Sequence, residues 1–162
     1  MSGQKIVFDT LEAMAIPYEK VEHAPAYTIE EMDANGLNQL GIIAKNLFLR
    51  DSQGKRHFLV VLREDKSADL KLLQQKLGSS RLSFASEERL EKHLGLKKGS
   101  VSPLGVLNDQ GCQVEVVFDR DLSQVERLGV HPNENTATLF LKADDLFRVV
   151  RSHGNSITFI DL

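Results

Sequence analysis

Three short stretches carry the side chains best suited to chemistry: Lys45 and Asn46 in AKNLFLRD, Gly99, Ser100 and Pro103 in GSVSPLG, and His131 in GVHPNENT. A lysine offers a compact cation for a phosphate or a carbonyl oxygen, and an adjacent amide both donates and accepts hydrogen bonds. Lys45 sits between apolar GIIA and LFL, and a lysine flanked by core sequence needs a reason. In GSVSP, a glycine permits close backbone approach and a proline stiffens the turn, so N–H groups there suit a carbonyl or its oxyanion. Pro132 holds His131 extended, and imidazole is the side chain that titrates nearest neutral pH. Taken singly, each stretch also has a plain reading: a charged residue at a strand start, a connector and a surface turn.

Other chemistries lack their motifs. There is no G-x-G-x-x-G, no G-x-x-x-x-G-K-[ST] and no G-x-S-x-G, which removes the usual dinucleotide, P-loop and serine-hydrolase signals. Histidines 23, 57, 93, 131 and 153 form no H-x-x-x-H pair and have no nearby cysteine partner, so no metal is expected. Cys112, the single cysteine, reads as a buried structural thiol beside Gly111 rather than a nucleophile, and excludes an internal disulfide.

The elements that must position these residues alternate in type. Val7, Leu11 and Met14 form a helical stripe that stops before Pro17, and YEKVEH reads as a strand. Thr28 and Glu31 make a capping box for a second helix running towards Gly36, with Ile29 and Met32 on one face. KNLFLRDSQGKRHFLVVLRED is the pattern of a hairpin of central strands. Ser67 is expected to cap a helix with Leu70, Leu73 and Leu77 inward before Gly78, and Ser86 another with Leu90 and Leu94 before Gly95. After the loop KKGSVSPLGVLND come strands QVEVVFD and TATLFL, a helix through ADDLFRVVR and a closing strand SITFIDL. Paired strands mixed with helix-separated ones predict a mixed sheet in an α/β or α+β domain.

With no linker or repeat, the 162 residues are expected to form a single domain, and 41% apolar with 27% charged residues is ordinary for a soluble one. No window approaches the roughly 18–20 apolar residues that cross a bilayer, so membrane insertion is not expected, and the lone cysteine points to a cytoplasmic location. The formal charge of -3 argues against a broad basic surface for long nucleic acid such as DNA, but not against grasping one nucleic-acid end. Lys45, Arg50, Arg63, Lys66, Lys97 and Lys98 are either a local patch for such an end or separate solvated charges.

Read together and in order, AKNLFLRD, GSVSPLG and GVHPNENTATL resemble the prolyl-tRNA editing domain family, also called the YbaK-like or aminoacyl-tRNA synthetase-associated domain. Within it the chain is most similar to the free-standing branch that deacylates alanyl-tRNA(Pro). The resemblance implies a curved, barrel-like mixed sheet flanked by helices, and hydrolysis of a misacylated tRNA ester without a cofactor. A pocket built for proline rejects the smaller alanine by only ~1–3 kcal/mol per methylene, which gives a second sieve its purpose. Lys45 then supplies a cation at the aminoacylated 3′ end, Asn46 amide hydrogen bonds, and Gly99, Ser100 and Pro103 the G-x-x-x-P loop near the terminal adenosine. His131 lines the amino-acid pocket, bonding the substrate's amino group or placing the attacking water, and Ile29 and Met32 are candidates for the wall that sets pocket size. The implied partners are the 3′ end of tRNA(Pro) and either prolyl-tRNA synthetase or an elongation factor. A cysteine-removing branch and a non-catalytic tRNA-end module are the alternative readings.

Overall fold

The turn DSQGK decides the centre of the molecule. In the computed structural model, which describes residues 4–25 and 36–162, the Asp51 carboxylate accepts from the Lys55 and Arg56 amides at 2.9 and 3.2 Å, and Gly54 takes φ +69°. The turn brings β2 (Ile42–Arg50) and β3 (His57–Arg63) into antiparallel register from Ala44 opposite Arg63 to Arg50 opposite His57. Around this expected hairpin lie α1 (Gln4–Ala13), β1 (Glu19–Glu22), α2 (Leu70–Leu77), β4 (Ser83–Phe84), α3 (Glu87–Leu94), β5 (Val114–Asp119), β6 (Leu128–Val130), β7 (Ala137–Leu141), α4 (Ala143–His153) and β8 (Ile157–Ile160). Short 3-10 turns cover Leu37–Gln39, Pro103–Asn108 and Arg120–Leu122.

The sheet is mixed, as expected, in the order β1-β7-β6-β2-β3-β5-β8, with β4 also on β2. The β2–β6, β3–β5 and β5–β8 pairs are parallel and the others antiparallel. Alternation along β2 and β3 sends Ala44, Phe48, Leu59 and Val61 to a large core shared with α1, α3 and α4. Leu49, Phe58, Val60 and Leu62 go to the opposite face, where Leu73 of α2 packs. Each fully buried side chain of this kind contributes ~1.5–3 kcal/mol, so the residues between them are held firmly in register.

One expectation changes, and two short strands are added to those expected. The second core-facing helix starts at Leu70 because Asp69, not Ser67, is its cap, accepting from the Lys71 and Leu72 amides at 3.0 and 3.2 Å. Ser86 caps α3 as expected, accepting from the Arg89 amide at 3.2 Å. Strands β4 and β6 are too short to show an alternating pattern of their own. β6 depends on Gly129: a Cβ there would stand 2.8 Å from Ile43 and 2.9 Å from Phe140. The capping box at Thr28 and Glu31, with Ile29 and Met32, lies outside the described residues.

Candidate functional site

The site is built where β2 loses a neighbour. Along one edge, β2 pairs with β6 at Ile42 and Ile43, then with β4 at Leu49 and Arg50, and no described strand pairs with the stretch between them. On this edge the Ile42 amide donates to Arg127 O, and Phe48 C=O accepts from the Ala85 amide, each at 2.9 Å. With the two-residue period of an antiparallel ladder, the N–H and C=O of Asn46 face the same open edge. A cavity of about 500 Å3 occupies the gap, lined by residues including Asn46, Phe48, Phe84, Leu90, Lys98 and Val101.

Lys45 and His131 fall on one face of the sheet. Counting on from Ile43 opposite Gly129, Lys45 stands two residues further along β2, and His131 two residues further along the chain, just past the end of β6. The Lys45 Nζ donates to Lys66 O, a carbonyl whose own side chain is anchored by the buried Asp119 carboxylate at 2.7 Å. His131 is half-buried, and its Nδ1 lies 2.9 Å from Ala137 O. Facing a carbonyl, that nitrogen must donate, which leaves Nε2 with a lone pair. Burial, and then the neighbouring His23, push the His131 pKa below the ordinary histidine value despite the bond to Ala137. The imidazole is therefore a neutral acceptor at neutral pH, on the same face as an ammonium.

Asn46 points the other way, with Ala44 and Phe48, so the adjacent Lys45 and Asn46 serve opposite sides of the strand. Its Oδ1 is buried without a hydrogen-bond partner, an omission that costs ~1–3 kcal/mol and marks a place prepared for a donor. The G-x-x-x-P loop borders this side. Gly99 takes φ +89°, Ser102 is fully buried and accepts from the Leu104 amide at 3.2 Å, and Pro103 opens the following turn. Ser100 is half-buried, and its amide donates to Lys97 O at 3.0 Å, so neither its N–H nor that of Leu104 is free for an oxyanion.

Two contributors escaped the sequence reading. Asn133, 9% exposed at φ +63°, donates from Nδ2 to Leu104 O at 3.4 Å, tying the His131 turn to the Pro103 loop, while its Oδ1 is buried without a partner. His23 stacks obliquely at 6.2 Å from His131, with ring nitrogens 2.7 Å from Ala24 O and 2.9 Å from Thr138 Oγ1. Only the PNEN amides could have hinted at the first, and nothing local marks the second.

The suggested basic patch is largely occupied. Lys66 binds Asp119 and Asp121, Arg63 pairs with Asp65, and Arg50 donates to Asp51 O and Ser52 O. Cys112 is half-buried rather than buried, at a tight bend where its φ is +51°. Its thiol donates to His153 O at 3.4 Å, and the neighbouring His153 Nδ1, 2.7 Å from Asn155 Oδ1, carries a proton and cannot activate the sulfur. Among the described residues no group of three or more metal-ligating side chains assembles, and no helix is long and apolar enough to cross a membrane.

A mixed sheet opened at the middle of its longest strand, with the Pro103 loop tied to the His131 turn beside it, defines an α/β domain. Residues 23–149 match the aminoacyl-tRNA editing domain, and the chain belongs to that family. It is 49% identical over 162 residues to the prolyl-tRNA editing protein ProX of Acetoanaerobium sticklandii, across 100% of this chain and 99% of that one. It is 35% identical over 149 residues to prolyl-tRNA synthetase associated domain-containing protein 1 of Mus musculus, across 90% of this chain and 88% of that one. A solved structure of a candidate trans-editing enzyme for prolyl tRNA synthetase shares the fold with a TM-score of 0.75 at 19% identity, over 100% of this chain and 98% of that one.

Proposed function

We propose that this chain, as one editing domain, hydrolyses misacylated tRNA(Pro) in trans, with Ala-tRNA(Pro) as substrate. The observation that carries the reading is the matched placement of Lys45 and His131 on one sheet face, beside the open edge at Asn46. An aminoacyl ester presents an ammonium, a polarised carbonyl and a ribose, and these residues offer a partner for each. His131 Nε2 accepts from the substrate's α-ammonium. Lys45, released from Lys66 O, neutralises charge that develops on the carbonyl oxygen.

The described site contains no Ser-His-Asp order, so no covalent enzyme intermediate is invoked. Water adds to the ester carbon, the bond to the ribose 3′ oxygen breaks, and that oxygen takes a proton relayed from the water by the adjacent 2′-OH. The amino acid leaves as its carboxylate, and the second proton of the water passes to solvent. Positioning supplies much of the acceleration. The 3′ end of tRNA(Pro) is the ligand, a cytoplasmic one, with prolyl-tRNA synthetase or an elongation factor supplying further affinity. Ile29 and Met32 are proposed to set the pocket size.

The test is incubation of the purified protein with labelled Ala-tRNA(Pro), Cys-tRNA(Pro) and Pro-tRNA(Pro). Alanine release well above the buffer control, with proline retained, is expected. No alanine release sinks the reading, and preferential cysteine release transfers it to the cysteine-removing branch.

A further inference from the structure

We propose that Lys66 is a positioning residue for the hydrolysis proposed above: its ammonium neutralises the buried Asp119 carboxylate, so that Lys45 is held by a neutral carbonyl and keeps its charge for the ester. The inference rests on the editing reading and adds a residue to it. Lys45 stands opposite Leu62 in the β2–β3 ladder, so the two share a face. Reading one residue on from Val61 beside Phe118 sets Asp119 beside Leu62 on that same face. Lys45 and Asp119 thus flank Leu62 in one row across three strands, about 10 Å apart along the sheet, a gap that their two side chains can bridge. Asp119 is fully buried, and a buried carboxylate is costly without a cation. Left alone on that face, it would draw in the Lys45 ammonium.

Lys66 prevents this. The chain turns back after β3, where the Lys66 amide donates to Arg63 O at 3.1 Å. The Lys66 ammonium donates to Asp119 Oδ2 at 2.7 Å, Asp121 Oδ2 at 2.5 Å and Leu162 O at 3.1 Å, which places all three of its protons. The other Asp119 oxygen accepts from the Asp121 amide at 3.1 Å, so the carboxylate is satisfied without Lys45. Asp121 is exposed, and water screens its charge. What Lys66 turns towards Lys45 is its main-chain O, a neutral acceptor that directs the ammonium without cancelling its charge.

The experiment compares full-length wild type with Lys66→Gln, Asp119→Asn and the double variant. Lys45 is followed by its rate of acetylation with acetic anhydride, read by mass spectrometry, and the same preparations are assayed on Ala-tRNA(Pro). Lys66→Gln keeps a donor for Asp119 but removes the charge, and should slow Lys45 acetylation by about 3-fold or more as the amine pairs with Asp119. Its kcat should fall by about 10-fold or more while KM moves by less than about 2-fold, and the double variant should return acetylation and kcat to within about 3-fold of wild type. A wild-type acetylation rate in Lys66→Gln, or a double variant no better than Lys66→Gln, overturns the proposal. Where melting shows that Lys66→Gln does not fold, Asp119→Asn decides: charge compensation predicts Lys45 acetylation within about 3-fold of wild type, and a larger loss overturns it. Acetylation is read without tRNA, so the two readings fail separately. A wild type that does not deacylate loses the hydrolase reading alone, and one that deacylates without the acetylation pattern loses only the role of Lys66.

Discussion

Lys45 and Asn46 are neighbours in sequence that face opposite ways, and their substitutions should separate accordingly. Lys45→Ala removes the ammonium proposed to meet the ester carbonyl, and should lower kcat/KM for Ala-tRNA(Pro) by ~10²-fold or more while melting stays near wild type. Asn46 is different because its buried Oδ1 is already unsatisfied. Asn46→Leu replaces that amide with an apolar group of similar size, and should leave thermal stability unchanged or raised by up to ~1 kcal/mol while deacylation falls. Equal loss of stability and activity would mean that Asn46 is only structural. The identities of Lys45, Asn46 and His131 were legible in the sequence, because a lysine inside an apolar run and a histidine pinned by proline stand out. The opposite facing of Lys45 and Asn46 follows from the predicted strand, but the placement of His131 relative to Lys45 was not legible, since it depends on the register of β2 against β6.

At the scale of elements, the hairpin and α3 meet through an imidazole pair. His57 of β3 is 4% exposed, its ring lies 4.0 Å from that of His93 on α3, and Arg89 approaches its Nε2 at 3.1 Å. Burial, with the charges of His93, Arg89 and Arg50 outweighing Asp51, lowers the His57 pKa from 6.5 to about 4. Burial also lowers that of His93. For His57, an unfolded chain binds the proton at about pH 6.5 and the folded chain only nearer pH 4, so the stability its neutral ring contributes is complete above 6.5 and lost as pH falls towards 4, with His93 acting in the same direction. His57 alone accounts for roughly 3 kcal/mol over that window. Urea unfolding should show a midpoint that drops between pH 7 and pH 4.5, and His57→Leu should flatten the drop. The strands and helices carrying this pair were plain from hydrophobic period and caps. Their contact was not, because 36 residues separate His57 from His93 and no local pattern encodes the stacking.

For the molecule as a whole, charge sets the terms of binding. A net charge of -3, with Lys66, Arg63 and Arg50 of the suggested patch already engaged, leaves that patch few cations for phosphates. The protein alone should therefore bind tRNA weakly, with an affinity that falls steeply between low and high salt; a salt-independent affinity by filter binding would contradict this. Composition and periodicity were enough to determine a mixed α/β domain, and three ordered motifs its resemblance to the editing family, because each is a local property of side-chain type and spacing. Only the tertiary structure decided that β2 runs past the end of β6 before β4 begins. That gap follows from long-range pairing, Ile43 with Gly129 and Leu49 with Phe84, whose register is set by burial on both faces rather than by any one stretch of chain. It is the gap that opens the cavity, frees the main chain of Asn46 and places Lys45 level with His131.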